Sequence, residues 1–304
     1  MLKVKAIWEM SRPGPALAWS ATSIVLGLGS AFSLSTSINW WHLSLILFSG
    51  LCLHSVTAHG CNDLEDWRSG TDQKSPGVLS GGSGVLKNGL LSERQVWLIS
   101  LAGVLPAVIA TFYLSKQVGP FVFLLLLVGL WSGFTYTIPP FRFAYRPLLG
   151  EWLSAYPTIL SLTIGTFFIL TGVVSASVAA AGVIHGFLSL GWVMQHHLPD
   201  IPSDLAANPQ KLTTPAFVSR RWGLTKAYLV PVGYFILAAL SAVAAGLIID
   251  QIFLIALPCA ALCIYQAVKT NPLDVASITA REKMMMLFTS THALLLAALL
   301  GFDL

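Results

Sequence analysis

Long apolar runs, broken at short intervals by prolines, glycines and charges, set the pattern of this chain. A helix that crosses a membrane needs about 20 predominantly apolar residues. Nine stretches meet that requirement: residues 15–35, 40–60, 94–114, 119–138, 150–173, 177–197, 225–247, 251–269 and 284–302. Helix-breaking or charged segments bound most of them, among them Lys116 to Pro120, Pro139-Pro140, Pro199, Asp250 and Asn271-Pro272. The pattern predicts an all-α integral membrane protein, with nine transmembrane helices in one bundle and a single domain over residues 1–304.

Composition agrees with that class. The 304 residues are 55% hydrophobic and only 10% charged, whereas soluble domains carry about 25% charged residues. A net charge of +4 is too small to imply a nucleic-acid partner. Membrane proteins keep lysine and arginine on the cytoplasmic side. With the N-terminus inside, Lys3, Lys5 and Arg12 are cytoplasmic, as are the bases after the second, fourth, sixth and eighth spans. Of the 17 basic residues only Lys116 then falls outside, and the C-terminus ends outside. The four cysteines show no metal-site spacing, and Cys259 and Cys263, one turn apart in an apolar run, read as packing residues. The start lacks the small-residue cleavage pattern of a removable signal peptide.

The orientation also sorts the acids. Eleven of the 13 acidic residues fall inside, and six of those form two clusters that open the long inside loops 61–93 and 198–224. Ionisable groups at membrane depth are costly and functional by default. The first cluster holds Asn62, Asp63, Glu65, Asp66 and Asp72. If the second span continues as helix, Asn62, Asp63 and Asp66 share a face. One amide and two carboxylates then make a hard-oxygen site, suited to Mg2+ shared with substrate phosphates. Asp72, beyond Gly70, is placed to add a further ligand. Arg68 and Lys74 lie close enough in sequence to take phosphate charge.

Asp200 and Asp204 form the second cluster, at one-turn spacing around Pro202, with Lys211 following. The sixth span is expected to end near His197 and a short helix to begin near Asp200. His196 and His197 lack the further ligands of a tetrahedral zinc site, and one of them is placed to line an acceptor pocket. The two clusters lie four spans apart, as an internal duplication would place them, though no residue-level repeat accompanies them. Between the fourth and fifth spans, Tyr136, Pro139-Pro140 and Arg142 form a stiff loop on the same side as the acids.

Taken together, these segments resemble the UbiA-type intramembrane prenyltransferases. The matching residues are Asn62-Asp63-Leu64-Glu65-Asp66 with Asp72, Asp200 to Asp204, Tyr136 to Arg142, and Ser11-Arg12-Pro13 at the entry to the first span. Asp66 to Asp72, followed by Gly81-Gly82 and Gly89-Leu90-Leu91-Ser92, looks most like the menaquinone branch, which prenylates 1,4-dihydroxy-2-naphthoate. Gln195-His196-His197 and Asn208 to Thr213 depart from that branch on the acceptor side.

The resemblance implies a Mg2+-dependent enzyme of a bacterial or archaeal plasma membrane, with its active site facing the cytoplasm. Its substrates would be a polyprenyl diphosphate and an aromatic acceptor, met within membrane lipid. Asp63, Asp66, Asp72, Asp200 and Asp204 would be the metal ligands. Asn62, Arg68, Lys74, Tyr136, Arg142 and Lys211 would bind the diphosphate. Ionisation of the allylic C–O bond would be driven by electrostatic and Lewis-acid catalysis, aromatics would shelter the cation, and exclusion of water would protect it. The metal motifs alone leave a terpene cyclase of the same family open. A transporter or lipid-binding protein is the remaining alternative, although acids at helix ends on one side differ from the midplane charges of transporters.

Overall fold

The computed structural model describes residues 2–34, 37–76 and 79–302, without the side chains of Leu2 and Lys3. Ser35 at the end of the expected first span, the Lys3 charge, and Asp303 and Leu304 at the C-terminus lie outside the described residues. Among the described residues the structure is helical, with no strand. Helix α1 (Leu2–Ser11) precedes α2 (Pro13–Phe32) and α3 (Trp40–Ser69). A short helix α4 (Thr71–Lys74) and a long loop lead to α5 (Glu93–Val118) and α6 (Phe121–Thr135). Then come α7 (Glu151–Thr171), α8 (Ala176–His196), the short α9 (Ile201–Ala206), α10 (Thr214–Trp222), α11 (Leu224–Ile248), α12 (Gln251–Val268) and α13 (Val275–Phe302).

Eight of these helices are long and apolar enough to span a membrane, and α6 is apolar but only 15 residues long. The expected fourth span, 119–138, is cut at both ends: Gly119-Pro120 precedes α6, and the chain turns at Tyr136 ahead of Pro139-Pro140. By contrast α3, at 30 residues, is about 45 Å long at 1.5 Å per residue. That exceeds the roughly 30 Å hydrocarbon core. Its last turns, which carry Asn62 to Ser69, therefore project past the apolar layer. Gly70, at φ 89, ends it in the left-handed conformation that glycine adopts at helix C-termini.

The core lies where α2, α7, α8, α11, α12 and α13 pack, around Leu26, Ile159, Leu188, Phe235, Phe253 and Leu296. In lipid, helices gain little by burying apolar surface against one another, so close approach of small residues matters. At Gly29 on α2, an added Cβ would stand 2.3 Å from the Ala297 carbonyl oxygen of α13. Gly191 of α8 leaves room for the Phe235 ring of α11 in the same way.

Three membrane helices contain π-helical turns: Leu17–Ala21 in α2, Cys52–Ala58 in α3 and Glu151–Ala155 in α7. Such turns carry an extra residue and gather at functional sites. All three border one interior cavity, through Trp19 and Ser20, Leu53 and His54, and Ser154 and Ala155.

Gly29→Val is expected to lower thermal stability in detergent by about 1–3 kcal/mol or more, because the obstruction is backbone and cannot swing away. Gly233→Ala, with nothing within 4 Å of its added Cβ, is expected to hold or raise stability through helix propensity. Thermal unfolding of the two variants, followed by size-exclusion chromatography, checks the contrast.

Candidate functional site

The projecting end of α3 meets α4, α9 and the segments 79–92, 136–150 and 207–213 at one end of the bundle. This brings both acidic clusters together. The Asn208 N–H donates to the Ser69 carbonyl (2.8 Å), Ser75 donates to an Asp200 oxygen, and Lys211 Nζ reaches Asp66 Oδ2 at 2.6 Å. Asp63, Asp66, Asp72, Asp200 and Asp204 are all at most 7% exposed.

Two cations, the buried Lys211 and the largely covered Arg12, face these five aspartates. Arg12 pairs with Asp63, whose carboxylate also accepts from the Ser83 hydroxyl and N–H. Lys211 pairs with Asp66, which accepts a second bond from the Tyr145 hydroxyl at 3.0 Å. The Asp72 carboxylate lies against Gly82, where a Cβ would stand 2.1 Å from Oδ2. Asp204 is fully buried, and neither of its carboxylate oxygens has a hydrogen-bond partner among the described residues.

Electrostatics follow from that imbalance. Burial pushes the Asp72 carboxyl up to about 7, with Asp66 adding to the rise and Arg12 and Lys211 opposing it. Burial also raises Asp200, and raises Asp204 well above the usual carboxylate range. Lys211 is held well above its ordinary value: burial opposes its charge, but Asp66 and Asp204 more than restore it. Arg12 is lowered by burial, against the pull of Asp72, Asp66 and Asp200.

Directly below this mouth lies a cavity of about 240 Å3. Its polar neck is formed by Arg12, Asn62, Tyr136, His59, His196 and His197, and its apolar depth includes Ile46, Leu114, Val122, Leu125 and Ile169. From Ser154 to Ile169, both lining residues on α7, the cavity follows the helix for about 22 Å. None of the five aspartates lines it; Arg12 and Asn62 form the link between this long apolar slot and the carboxylates, an arrangement suited to a molecule with an apolar tail and a charged head.

The sequence-derived residues divide accordingly. Asn62 and Tyr136 line the cavity, and the Tyr136 hydroxyl lies 3.3 Å from His197 Nε2. Lys211 sits among the aspartates. Arg68 and Arg142 do not line the cavity; both are drawn to Glu65, at 3.0 and 2.8 Å, and Arg68 also reaches Glu93 at 2.9 Å. The reason is electrostatic: Glu65 is 5% exposed, and a buried carboxylate holds its counter-charges. Lys74 is exposed on α4. Among the described residues, no three acidic, histidine or cysteine side chains converge in a metal-binding arrangement; Arg12 and Lys211 occupy two of the carboxylates.

Sequence reasoning gave no site role to Arg12, Ser83, Glu65, Tyr145 or Glu282. Arg12 offered a signal, as a base beside a proline at the start of a span. Arg12 and Arg142 share another trait visible only in the fold: both hold positive φ, 41 and 45. Such conformations cost about 1–3 kcal/mol and concentrate at functional sites.

Comparison with known proteins adds to this geometry. The family model described as the UbiA prenyltransferase family matches residues 18–301. A solved UbiA homolog from Archaeoglobus fulgidus bound to GPP and Mg2+ aligns at TM-score 0.66 and 16% identity, over 96% of this chain and 99% of that one. The same homolog bound to DMAPP and Mg2+ aligns at TM-score 0.65 and 15% identity, over 94% and 98%. A structure of digeranylgeranylglyceryl phosphate synthase aligns at TM-score 0.61 and 13% identity, over the whole of both chains. At such identities the structural likeness speaks for the fold. No curated protein matches the sequence.

Lys211→Met is expected to cost about 3–5 kcal/mol, as does breaking other buried pairs by removing one partner. Lys211→Met combined with Asp66→Asn is expected to recover part of the loss. A double-mutant cycle on unfolding in detergent measures the coupling.

Proposed function

The chain belongs to the UbiA prenyltransferase family, as its match over residues 18–301 establishes, and on that premise we propose that it transfers a prenyl group from a polyprenyl diphosphate to a hydroxylated aromatic acceptor of the quinone-precursor class. One observation carries the reading: five buried aspartates gather at the end of the bundle beside the neck of a long apolar cavity, joined to it by Asn62 and by Arg12, which lines the cavity and pairs with Asp63. The head of a prenyl diphosphate belongs at the first and its tail in the second. Solved relatives of the same fold carry GPP or DMAPP with Mg2+, which supports it.

The residues present suit a divalent cation. Five buried aspartates face the cations of Lys211 and Arg12, and both oxygens of the fully buried Asp204 lack a hydrogen-bond partner among the described residues. The donors are hard oxygens, the type Mg2+ takes. Asp63, Asp66, Asp72, Asp200 and Asp204, with Asn62, are the residues that would hold it. Bound there, Mg2+ supplies charge neutralisation for the departing diphosphate.

The chain's own groups do the rest. Lys211 and Arg12, each oriented by an aspartate, are the buried cations at hand for phosphate oxygens. Glu65 keeps Arg142 and Arg68 at the edge of the mouth, where they attract an anionic substrate. The apolar slot holds the prenyl chain and excludes water from the allylic carbon. Trp19, Trp192 and Tyr136 line the cavity, where aromatic rings can stabilise an allylic cation. The basic-residue distribution supports a cytoplasmic mouth.

Purified protein incubated with GPP and Mg2+, with and without a hydroxyarene, is expected to release pyrophosphate and yield a prenylated ring by mass spectrometry. A cyclic hydrocarbon formed without acceptor would redirect the reading to a cyclase. Asp66→Ala is expected to reduce turnover to background in a folded protein, and chelation of the metal to do the same in wild type. Full turnover in that variant, with the metal requirement intact, refutes the site. Because Asp72 holds a proton below about pH 7, Mg2+ competes with that proton. Affinity is expected to rise with pH from about 6 towards 7, and the slope to become shallower in Asp72→Asn, with Asp200 and Asp204 supplying the remainder. Titration calorimetry measures both.

A further inference from the structure

Four histidines line the cavity, and three of them spend a ring nitrogen on a neutral partner. His54 bonds the Ser20 hydroxyl, His59 the Ser11 carbonyl and His197 the Tyr136 hydroxyl. His196 differs. Its Nδ1 lies 2.8 Å from Oε1 of Glu282, on α13. Glu282 is 1% exposed, and its other oxygen has no hydrogen-bond partner among the described residues. A carboxylate buried this completely near the start of a membrane helix, with one oxygen unpartnered, points to a function. It accepts from Nδ1–H, which fixes the tautomer and leaves the lone pair on Nε2. No described protein group bonds Nε2, and the ring remains 17% exposed on the side of the cavity. Trp19 and Trp192, edge to face at 5.9 Å, line the same neck and form an aromatic wall for a flat ring.

We propose that the His196–Glu282 pair is the proton acceptor for the second substrate, a hydroxylated aromatic ring held in the neck of the cavity. The inference rests on the prenyl-transfer reading above and assigns its acceptor half. Nε2 takes the ring hydroxyl proton, and Glu282 stabilises the imidazolium through Nδ1. The electron pair released into the ring forms a carbon–carbon bond to C1 of the prenyl group. The C1–O bond breaks, and its pair leaves on the diphosphate oxygen. Tautomerisation moves the ring C–H proton to oxygen and restores the arene, and the proton on His196 passes to water. The aspartate mouth ionises the donor; this pair activates the acceptor.

Without the base, the ionised prenyl group is captured by water. The test is the ratio of prenylated arene to prenyl alcohol, with GPP, Mg2+ and a panel of 1-naphthol, 4-hydroxybenzoate and 1,4-dihydroxy-2-naphthoate. His196→Gln and Glu282→Gln are expected to keep Mg2+-dependent pyrophosphate release within a few-fold of wild type. Arene formation is expected to fall by about 100-fold or more in His196→Gln, the scale of general-base catalysis, and by less in Glu282→Gln, with prenyl alcohol rising in both. Glu282→Gln retains a hydrogen-bonding side chain, so it answers the question if His196→Gln does not fold. An unchanged ratio in a folded variant overturns the proposal, as does a parallel fall of both products. Pyrophosphate release by wild type with no prenylated arene from any panel member overturns the acceptor class. Absence of Mg2+-dependent pyrophosphate release in wild type overturns the prenyl-transfer reading instead, so the two failures are separable.

Discussion

Five buried aspartates share one end of the bundle with two cations, and the organisation of this end follows from that inequality. Removing a carboxylate from water costs several kcal/mol unless the charge is met. Lys211 meets part of it by reaching back from the α9–α10 loop to Asp66, and Arg12 by bending the α1–α2 junction into a left-handed turn to reach Asp63. These two pairs place the second cluster over the first and close the N-terminal segment onto α3. Burial raises the proton affinity of Asp72, Asp200 and Asp204, and neighbouring carboxylates add to the rise at Asp72 and Asp204. A site in this condition favours cations and, through them, anionic substrates.

The membrane helices could be read from the sequence because lipid imposes a coarse rule, about 20 apolar residues per crossing, and the acids stood out because that rule leaves little place for them. Partnership could not be read. Lys211 and Asp66 are 145 residues apart, and only the packing of α9 against α4 reveals that they meet. Arg68 and Arg142 looked like phosphate ligands because they stand near acids and prolines, yet both serve Glu65, and nothing local distinguishes a base that waits for substrate from one that neutralises a neighbour. Glu282 was hidden for the opposite reason. It sits between Arg281 and Lys283, where a carboxylate reads as ordinary charge at the start of a span, while its side chain turns inward to His196.

The bundle is also divided in its packing. The side built from α2, α7, α8, α11, α12 and α13 is close-packed through glycines and large buried side chains. The side formed by α3, α5 and α6 leaves a slot between itself and α7. A rigid half thus supports a hollow half, and the reactive groups sit where the hollow meets water.

The widened turns at Leu17–Ala21, Cys52–Ala58 and Glu151–Ala155 set the phase of everything beyond them. Each residue advances a helix by about 100°. Losing the surplus residue at Cys52–Ala58 would therefore rotate the rest of α3 by that angle and swing Asn62, Asp63 and Asp66 away from the faces they now present. Through this stretch, one-residue length changes are far more damaging than most single replacements, and a variant lacking one residue there could regain its alignment through a compensating insertion before Asn62.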